Sequence, residues 1–160
     1  MTADQKLTAL GIVLPTPHAP TRHHLPNYRG HRLAGPFLFV GAQGPFQSDG
    51  VTPCSGRVGE DVSVEEAYRH ARNAGLYILA EAKAALGSLD RVAAVVKLVG
   101  MVNAVPDFKD HPLVVNGCSD LLVEVFGPER GPHPRTSMGV GSLPHRMTVE
   151  IEAVMLVRTD

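Results

Sequence analysis

The sequence contains no tryptophan, only two cysteines and no long apolar run, and each scarcity excludes a class of protein. Cys54 and Cys118 are far apart and share no metal-ligand spacing, which argues against a disulfide framework or a zinc site. No apolar stretch approaches the roughly 18 residues of a membrane helix, and the N-terminal MTADQKLTAL lacks the charged-then-apolar pattern of a signal peptide. We therefore expect a soluble, reduced protein of the cytoplasm with no membrane partner.

An excess of charge of one sign is also lacking. Fifteen Lys and Arg residues stand against sixteen Asp and Glu residues, which gives a formal net charge of −1. The basic residues form no run that could follow a phosphate backbone, so nucleic acid is not the expected partner. The 160 residues, of which 44% are hydrophobic, are enough to fold as one domain over residues 1–160 without help from a metal.

The hydrophobic pattern predicts seven elements in the order β, β, α, β, α, β, β. The clearest is a helix over residues 63–87, which begins at a capping box of Ser63 and Glu66 and ends at Gly87. The other predicted elements are strands over residues 6–15, 35–45, 91–102, 136–141 and 148–158, and a second helix over residues 112–127. This order favours an α+β fold in which both helices cover one face of a mixed β-sheet.

The last predicted strand has two different faces. Alternate residues from Val149 onward are apolar, and this face would take the helices. The opposite face begins with Glu150 and Glu152 but turns apolar at Val154 and Leu156. A half-apolar second face is better explained by contact with another subunit than by exposure to water.

The short segment SLPHRM joins the last two strands, and we interpret these strands as a hairpin. Arg135 and Ser137 would then share a face of one arm and approach Glu150 and Glu152 on the other arm. The sequence leaves the register open, and with it the choice of the nearer glutamate. A structural Arg–Glu ion pair is the alternative to a functional site, because such pairs are common in proteins.

The hairpin segment HPRTSMGVGSLPHRMTVEIEAV resembles the C-terminal signature of the RidA/YjgF family of reactive-intermediate (imine/enamine) deaminases. It has an arginine, a hydroxyl residue two positions on, a Leu-Pro turn and a closing Val-Glu-Ile-Glu-Ala strand. Tyr28, Gly35 and Gln43 also fall at the family's spacing, and Asn116 stands where the family has a helix asparagine. The extended N-terminus and VNGCSDLLVEVFG are similar to a longer branch of the family.

The resemblance implies a chorismate-mutase-like (YjgF-like) fold in a homotrimer with a central barrel and three sites between subunits. It also implies hydrolysis of small 2-imino or enamine acids to 2-keto acids and ammonia, a detoxification that needs no cofactor. On this interpretation Arg135 binds the substrate carboxylate, and Glu150 holds or deprotonates the attacking water. Ser137 would donate to the substrate, and Asn116 and Tyr28 would supply walls of the site from different subunits.

The chain departs from the family at Gly41 and Ala42, where the family has Ser-Gly, so a hydroxyl expected beside the substrate is missing. This departure keeps a second function open, namely a regulatory trimer that uses Arg135 to hold a small keto acid without turnover. A third function is RNA cleavage, to which some members of the family have been assigned. The near-zero net charge argues against it.

Histidines and one cysteine suggest other sites. His23, His24 and His31 lie close in sequence, but they have no acidic or cysteine partner at a recognisable spacing, so we predict no metal site. Cys118 falls on the apolar stripe of the second helix, where a cysteine is usually a small core residue. His133 flanks the predicted hairpin and is a candidate for the rim of the pocket.

Overall fold

A computed structural model describes residues 1–17 and 27–158 of the chain. Its helices are α1 (Ala3–Ala9), α2 (Val64–Leu86) and α3 (His111–Arg130), and its strands are β1 (His31–Ala34), β2 (Phe37–Gln43), β3 (Val92–Asn103), β4 (Arg135–Val140) and β5 (Val149–Val157). Two short 3-10 turns, Leu89–Arg91 and Pro144–Arg146, precede β3 and β5. The α+β class is confirmed, and β1 is a strand that the sequence pattern did not predict.

The five strands form one sheet in the order β1-β2-β5-β3-β4, in which only β3 and β4 run parallel. The predicted mixed sheet is therefore confirmed. The predicted hairpin of the last two strands is wrong, because β3 lies between β4 and β5. The crossover through α3 places β4 parallel to β3 on its free side, and the chain then passes β3 to reach β5.

The N-terminal segment is helical, so the strand predicted over residues 6–15 is wrong. Thr2 and Gln5 form a reciprocal capping box that satisfies free backbone N–H groups at the start of α1. Ala3 and Leu7, four positions apart, are buried on the same side of the helix. The β-branched residues that suggested a strand follow the end of α1, and Val13 among them is exposed.

The two long helices form where the pattern predicted them. The Ser63 hydroxyl accepts a hydrogen bond from the N–H of Glu66, and Gly87 ends α2 with a φ of 79°. α3 lies against α2 at Gly117, where an added Cβ would overlap the backbone of α2. α3 resumes for a last turn after a break at Gly127, whose φ is 82°. None of the helices in the described part of the chain combines the length and the hydrophobicity of a membrane span.

The sheet has one face covered by α2 and α3 and one open face. The buried alternate residues of β5 lie on the covered face, as predicted. The open face carries Phe37 and Phe39, which are 38% and 46% exposed, and the register sets them beside Leu156 and Val154. The described residues cover these apolar side chains only in part.

Candidate functional site

Arg135, the first residue of β4, lies against α3 at one edge of the sheet. Its Nη1 donates to Oγ of Ser119 over 2.8 Å, and its Nη2 donates to Oδ1 of Asn116 over 2.7 Å and to the carbonyl of Pro112 over 3.2 Å. Asn116 and Ser119 are three positions apart on α3 and therefore face the same side. The guanidinium is half-buried and held by three neutral acceptors.

His133 extends this chain of hydrogen bonds. Its Nδ1 lies 2.6 Å from the carbonyl oxygen of Gly131, and its Nε2 lies 3.1 Å from Oγ of Ser119. A carbonyl only accepts, so Nδ1 carries the proton and the neutral Nε2 accepts from the Ser119 hydroxyl. Burial lowers the pKa of His133, the bond to Gly131 opposes this shift, and the charge of Arg135 adds to it. We call Arg135, Asn116, Ser119 and His133 the arginine corner.

Arg135 retains donors for a ligand. Within the described part of the chain, three of its five N–H groups are engaged, and one on Nε and one on Nη1 have no partner there. Among the described residues no carboxylate lies within 4.0 Å of the guanidinium, and a structural Arg–Glu ion pair therefore finds no support. The buried hydroxyl of Ser137, on the same side of β4, has no hydrogen-bond partner in the described part of the chain. An unsatisfied buried hydroxyl beside a guanidinium suits a polar ligand.

Glu150 and Glu152 lie on the open face, away from the arginine corner. Strand β3 pairs with both β4 and β5, and it sets Leu98 opposite Arg135 but Met101 opposite Glu150. Positions 98 and 101 point to opposite faces of the strand, and Leu98 is fully buried under the helices. The expectation that a hairpin brings Arg135 and Glu150 together within one chain is therefore wrong.

Glu150 is the better placed of the two glutamates for proton transfer. It is half-buried, whereas Glu152 is exposed. Burial raises the pKa of the Glu150 carboxyl above its ordinary value of 4.5, and the nearby His145 partly opposes this shift. A raised pKa brings a carboxyl group closer to the range in which it exchanges protons near neutral pH.

A cleft of about 710 Å³ lies at the opposite edge of the sheet, and we call it the β1 cleft. Its lining consists of Asn27, Tyr28, Arg29, His31, Arg32, Phe39 and Gly41. Strands β1 and β4 are the outermost of five, so four strand spacings of ~4.8 Å put them about 19 Å apart. Tyr28, which precedes β1, therefore cannot meet Arg135 of the same chain, and Gly41 on β2 is still three spacings, about 14 Å, from β4. The placement of Tyr28 and Asn116 in different subunits of one site stays a prediction.

The other sequence-based interpretations have separate outcomes. Cys118 is fully buried, burial raises the pKa of its thiol to about 12, and its core role is confirmed. His23 and His24 lie outside the described residues, and His31 is bonded to Glu81. Among the residues that the structure describes, no three His, Cys, Asp or Glu side chains are grouped as metal ligands would be.

Sequence reasoning missed Ser119 and Glu81. The spacing of three between Asn116 and Ser119 on a predicted helix could have indicated a shared polar face. Glu81 gives no such signal, because it stands in an apolar stretch of α2 and its partner His31 is 50 positions away.

The family model described as "YjgF/chorismate mutase-like, putative endoribonuclease" matches residues 4–151. The chain therefore belongs to the YjgF/RidA family, as the motif resemblance predicted. Protein TCP17 of Trypanosoma cruzi is 40% identical over 150 residues, which cover 93% of this chain and 90% of TCP17.

Solved structures agree with this assignment. Atu1372, a protein of unknown function from Agrobacterium tumefaciens, is 38% identical with a TM-score of 0.85, over 98% of this chain and 94% of that one. A "putative endoribonuclease" from Shewanella oneidensis is 30% identical with a TM-score of 0.89, over 98% and 100%. Escherichia coli TdcF with bound serine is 21% identical with a TM-score of 0.60, over 90% and 94%, which shows a shared fold.

Proposed function

We propose that this protein hydrolyses small 2-imino or enamine acids to 2-keto acids and ammonia. The observation that carries the proposal is the arginine corner, where a half-buried guanidinium has neutral hydrogen-bond acceptors and two N–H groups that no described residue engages. A planar carboxylate is the ligand that such donors favour, and it is the strongest handle that a small imino acid offers. The unsatisfied hydroxyl of Ser137 would supply a further donor to the bound substrate.

The chemical step needs an oriented water and a base. Water would add to the carbon of the C=N bond, and Glu150 would take its proton, a role that the raised pKa of this carboxyl favours. Asn116 holds Arg135 in place through its Oδ1 and would shape the pocket beside it. Tyr28 and Gly41 would form the opposite wall.

One chain cannot assemble this site, so we propose that it is completed between the subunits of a homotrimer. Arg135 and Glu150 lie on opposite faces of the sheet, and Tyr28 lies at the far edge. The open face, with Phe39 and Leu156, provides the apolar surface through which copies would meet around a central barrel.

Two other functions are tested against this one. A trimer that binds a keto acid without turning it over is favoured by the arginine corner of a single chain, where no carboxylate of residues 1–17 or 27–158 pairs with Arg135. RNA cleavage is suggested by the family description and by the name of the Shewanella structure. The net charge of −1 disfavours it, because affinity for RNA depends on neutralising phosphates.

The deciding experiment pairs two measurements on the wild-type protein. One follows ammonia release from 2-iminobutyrate or 2-aminoacrylate generated in the assay, and the other measures binding of 2-oxobutyrate by calorimetry. Acceleration above the spontaneous rate supports the proposal. Binding without acceleration supports the regulatory trimer. If the protein neither accelerates ammonia release nor binds 2-oxobutyrate, both the hydrolase and the regulatory trimer are contradicted. Submicromolar RNA affinity at physiological salt would instead support the third function.

A further inference from the structure

His31 and Glu81 form a hydrogen-bonded pair at the back of the β1 cleft. Nδ1 of His31 lies 2.6 Å from Oε2 of Glu81. Glu81 belongs to α2 and is only 4% exposed, whereas the His31 side chain is 36% exposed and lines the cleft together with Tyr28 and Gly41. The pair thus joins a buried carboxylate to an imidazole at the surface of a cavity.

The geometry sets the tautomer of the imidazole. An ionised carboxylate only accepts hydrogen bonds, so Nδ1 of His31 carries a proton. Nε2 lies on the other side of the ring and has no hydrogen-bond partner among the described residues. A carboxylate at Nδ1 fixes the tautomer and the orientation of the ring, so Nε2 is the ring atom that can exchange a proton with a ligand.

The backbone at Gly30, next to the cleft, lies close against the Glu81 carboxylate. A Cβ at Gly30 would lie 2.5 Å from Oε1 of Glu81, so a larger residue there would displace the carboxylate from its present position. The carbonyl of Gly30 accepts the N–H of Gly41 over 2.8 Å. Gly30 therefore contacts the Glu81 carboxylate on one side and is hydrogen-bonded to Gly41 on the other, so Glu81 is linked through Gly30 to the wall of the cleft that His31 also lines.

A purely structural role, in which the pair of His31 and Glu81 holds β1 against α2, does not by itself explain why these residues are charged or polar. Leu79, Ala80 and Ala82 beside Glu81 are all buried and apolar. Removing a carboxylate from water is costly, and apolar residues of similar volume often stabilise a fold as well as a buried charged pair does, or better. A residue pair that is costly to bury and opens on a cavity suggests a chemical role.

We propose that His31, oriented by Glu81, is a catalytic proton-transfer residue of the site that Tyr28 and Gly41 line. This inference rests on the proposed imine hydrolysis. In the first step the water oxygen bonds to the imine carbon, Glu150 takes one proton of the water, and the π electrons of the C=N bond move to nitrogen. Protonated His31 then gives its Nε2 proton to that nitrogen, and Glu150 returns its proton to the same nitrogen, which becomes an ammonium group. The C–N bond breaks as the C=O bond forms, ammonia leaves, and the hydroxyl proton returns to Nε2 of His31.

The test measures kcat and KM for ammonia release across pH for the wild type, His31→Gln and Glu81→Gln. Glutamine at position 31 keeps a polar side chain but cannot shuttle a proton, so kcat should fall by about 100-fold or more while KM stays within about three-fold. Glu81→Gln keeps an acceptor for Nδ1 and removes only the charge, so a smaller loss of about ten-fold in kcat and a changed pH profile are expected. His70→Gln is the matched control, because His70 also neighbours a glutamate, Glu66, but lies outside the β1 cleft.

The double variant His31→Gln, Glu81→Gln separates a catalytic role from a structural one. It replaces the buried carboxylate and the imidazole by two amides that can bond to each other, so stability lost in His31→Gln should return. On the proposed role kcat stays low in this variant. If kcat recovers together with the melting temperature, or if His31→Gln alone keeps kcat within two-fold of the wild type, the inference is overturned and the proposed hydrolysis stands.

Failure of the proposed function has a different signature. If the wild type releases no ammonia above the spontaneous rate, both the hydrolysis and the proton transfer are overturned.

The contact between His31 and the ligand can also be measured without turnover. 2-oxobutyrate is titrated into the protein while the imidazole signal of His31 is followed by NMR. This signal is assigned by its loss in His31→Gln. A shift of that signal supports placement of His31 at the ligand. Binding of 2-oxobutyrate that leaves the signal unmoved overturns the inference.

Discussion

The two edges of the sheet carry the two halves of the candidate site, and they are organised differently. At the β4 edge, the arginine corner is held by side-chain hydrogen bonds within one chain, from His133 through Ser119 to Arg135. At the β1 edge, Tyr28 is 71% exposed beside an open cleft. A half-site that is ordered by its own chain can bind one end of a ligand in isolation, whereas an open half-site needs a second surface to exclude water.

Removal of Arg135 should have the largest effect, because it eliminates the ordered half-site. Arg135→Ala should abolish ammonia release and 2-oxobutyrate binding, since charge-assisted hydrogen bonds are roughly twice as strong as neutral ones. Arg135→Lys should not restore activity, because a point charge lacks the planar fork of the guanidinium. Initial rates, calorimetry and melting temperature check this prediction.

Arg72→Ala is the matched control for this change. Arg72 of α2 pairs with Glu124 of α3 over 2.6 Å, both side chains are partly exposed, and neither residue belongs to a half-site. Its loss should alter stability by less than about 1 kcal/mol and leave turnover unchanged. If Arg135→Ala unfolds the protein and the wild type binds no small carboxylate, the arginine corner is structural only.

The contrast between the two edges also explains what could be predicted from the sequence. Alternation along β5 and the capping of α2 depend on neighbours in the chain, so these elements and their faces were predictable. The position of β4 depends on the α3 crossover, which local pattern does not encode, and the hairpin prediction failed for that reason. The residue types of the candidate site could be proposed from the motif, but the pair of His31 and Glu81 depends on a tertiary contact between β1 and α2.

Glu150→Gln should produce the next largest effect. The amide keeps shape and most hydrogen bonds but is no base, so turnover should fall by roughly two to four orders of magnitude while 2-oxobutyrate still binds. In the wild type, activity should be lost as pH falls through the pKa of Glu150, because only the ionised carboxyl is a base. Burial raises that pKa, so the acidic limb should have its midpoint above 4.5.

Although turnover should fall in Glu150→Gln, the stability of the folded protein should not. A carboxyl whose pKa is raised by folding destabilises the folded state at pH values above that pKa, so Glu150→Gln should be neutral or slightly stabilising at pH 7. Lost turnover with an undiminished melting temperature would therefore identify the base. Glu152→Gln, on the same face but exposed, should keep turnover within about three-fold. The reverse result would move the role to Glu152.

Leu156→Asp should separate the subunits, and with them the two half-sites, while leaving the residues of each half-site unchanged. Leu156 lies beside Phe37 on the open face, and an unpaired carboxylate buried there by a subunit contact would cost several kcal/mol. Light scattering should show the trimer mass reduced to that of the monomer at micromolar concentration, with loss of turnover. Val13→Asp, at an apolar residue that is 88% exposed elsewhere, should leave the mass unchanged. A wild-type monomer at this concentration would contradict the shared site.

The smallest expected effect refines the description of the ordered half-site. Ser119→Ala removes an acceptor 2.8 Å from Nη1 of Arg135 and the donor to His133, so the guanidinium loses part of its orientation but none of its charge. A hydrogen bond to a charged group contributes about 1.5–3 kcal/mol, and because Ser119 acts through Arg135 we expect the lower end, about a ten-fold rise in KM with kcat little changed. Ser119→Thr keeps the hydroxyl and should restore KM.

Ser63→Ala, which removes the cap of α2, is the control for Ser119→Ala. It should lower stability by about 1 kcal/mol and leave KM unchanged. A Ser119→Ala variant that loses stability as Ser63→Ala does, with an unaltered KM, would show that Ser119 supports the fold and not the orientation of Arg135.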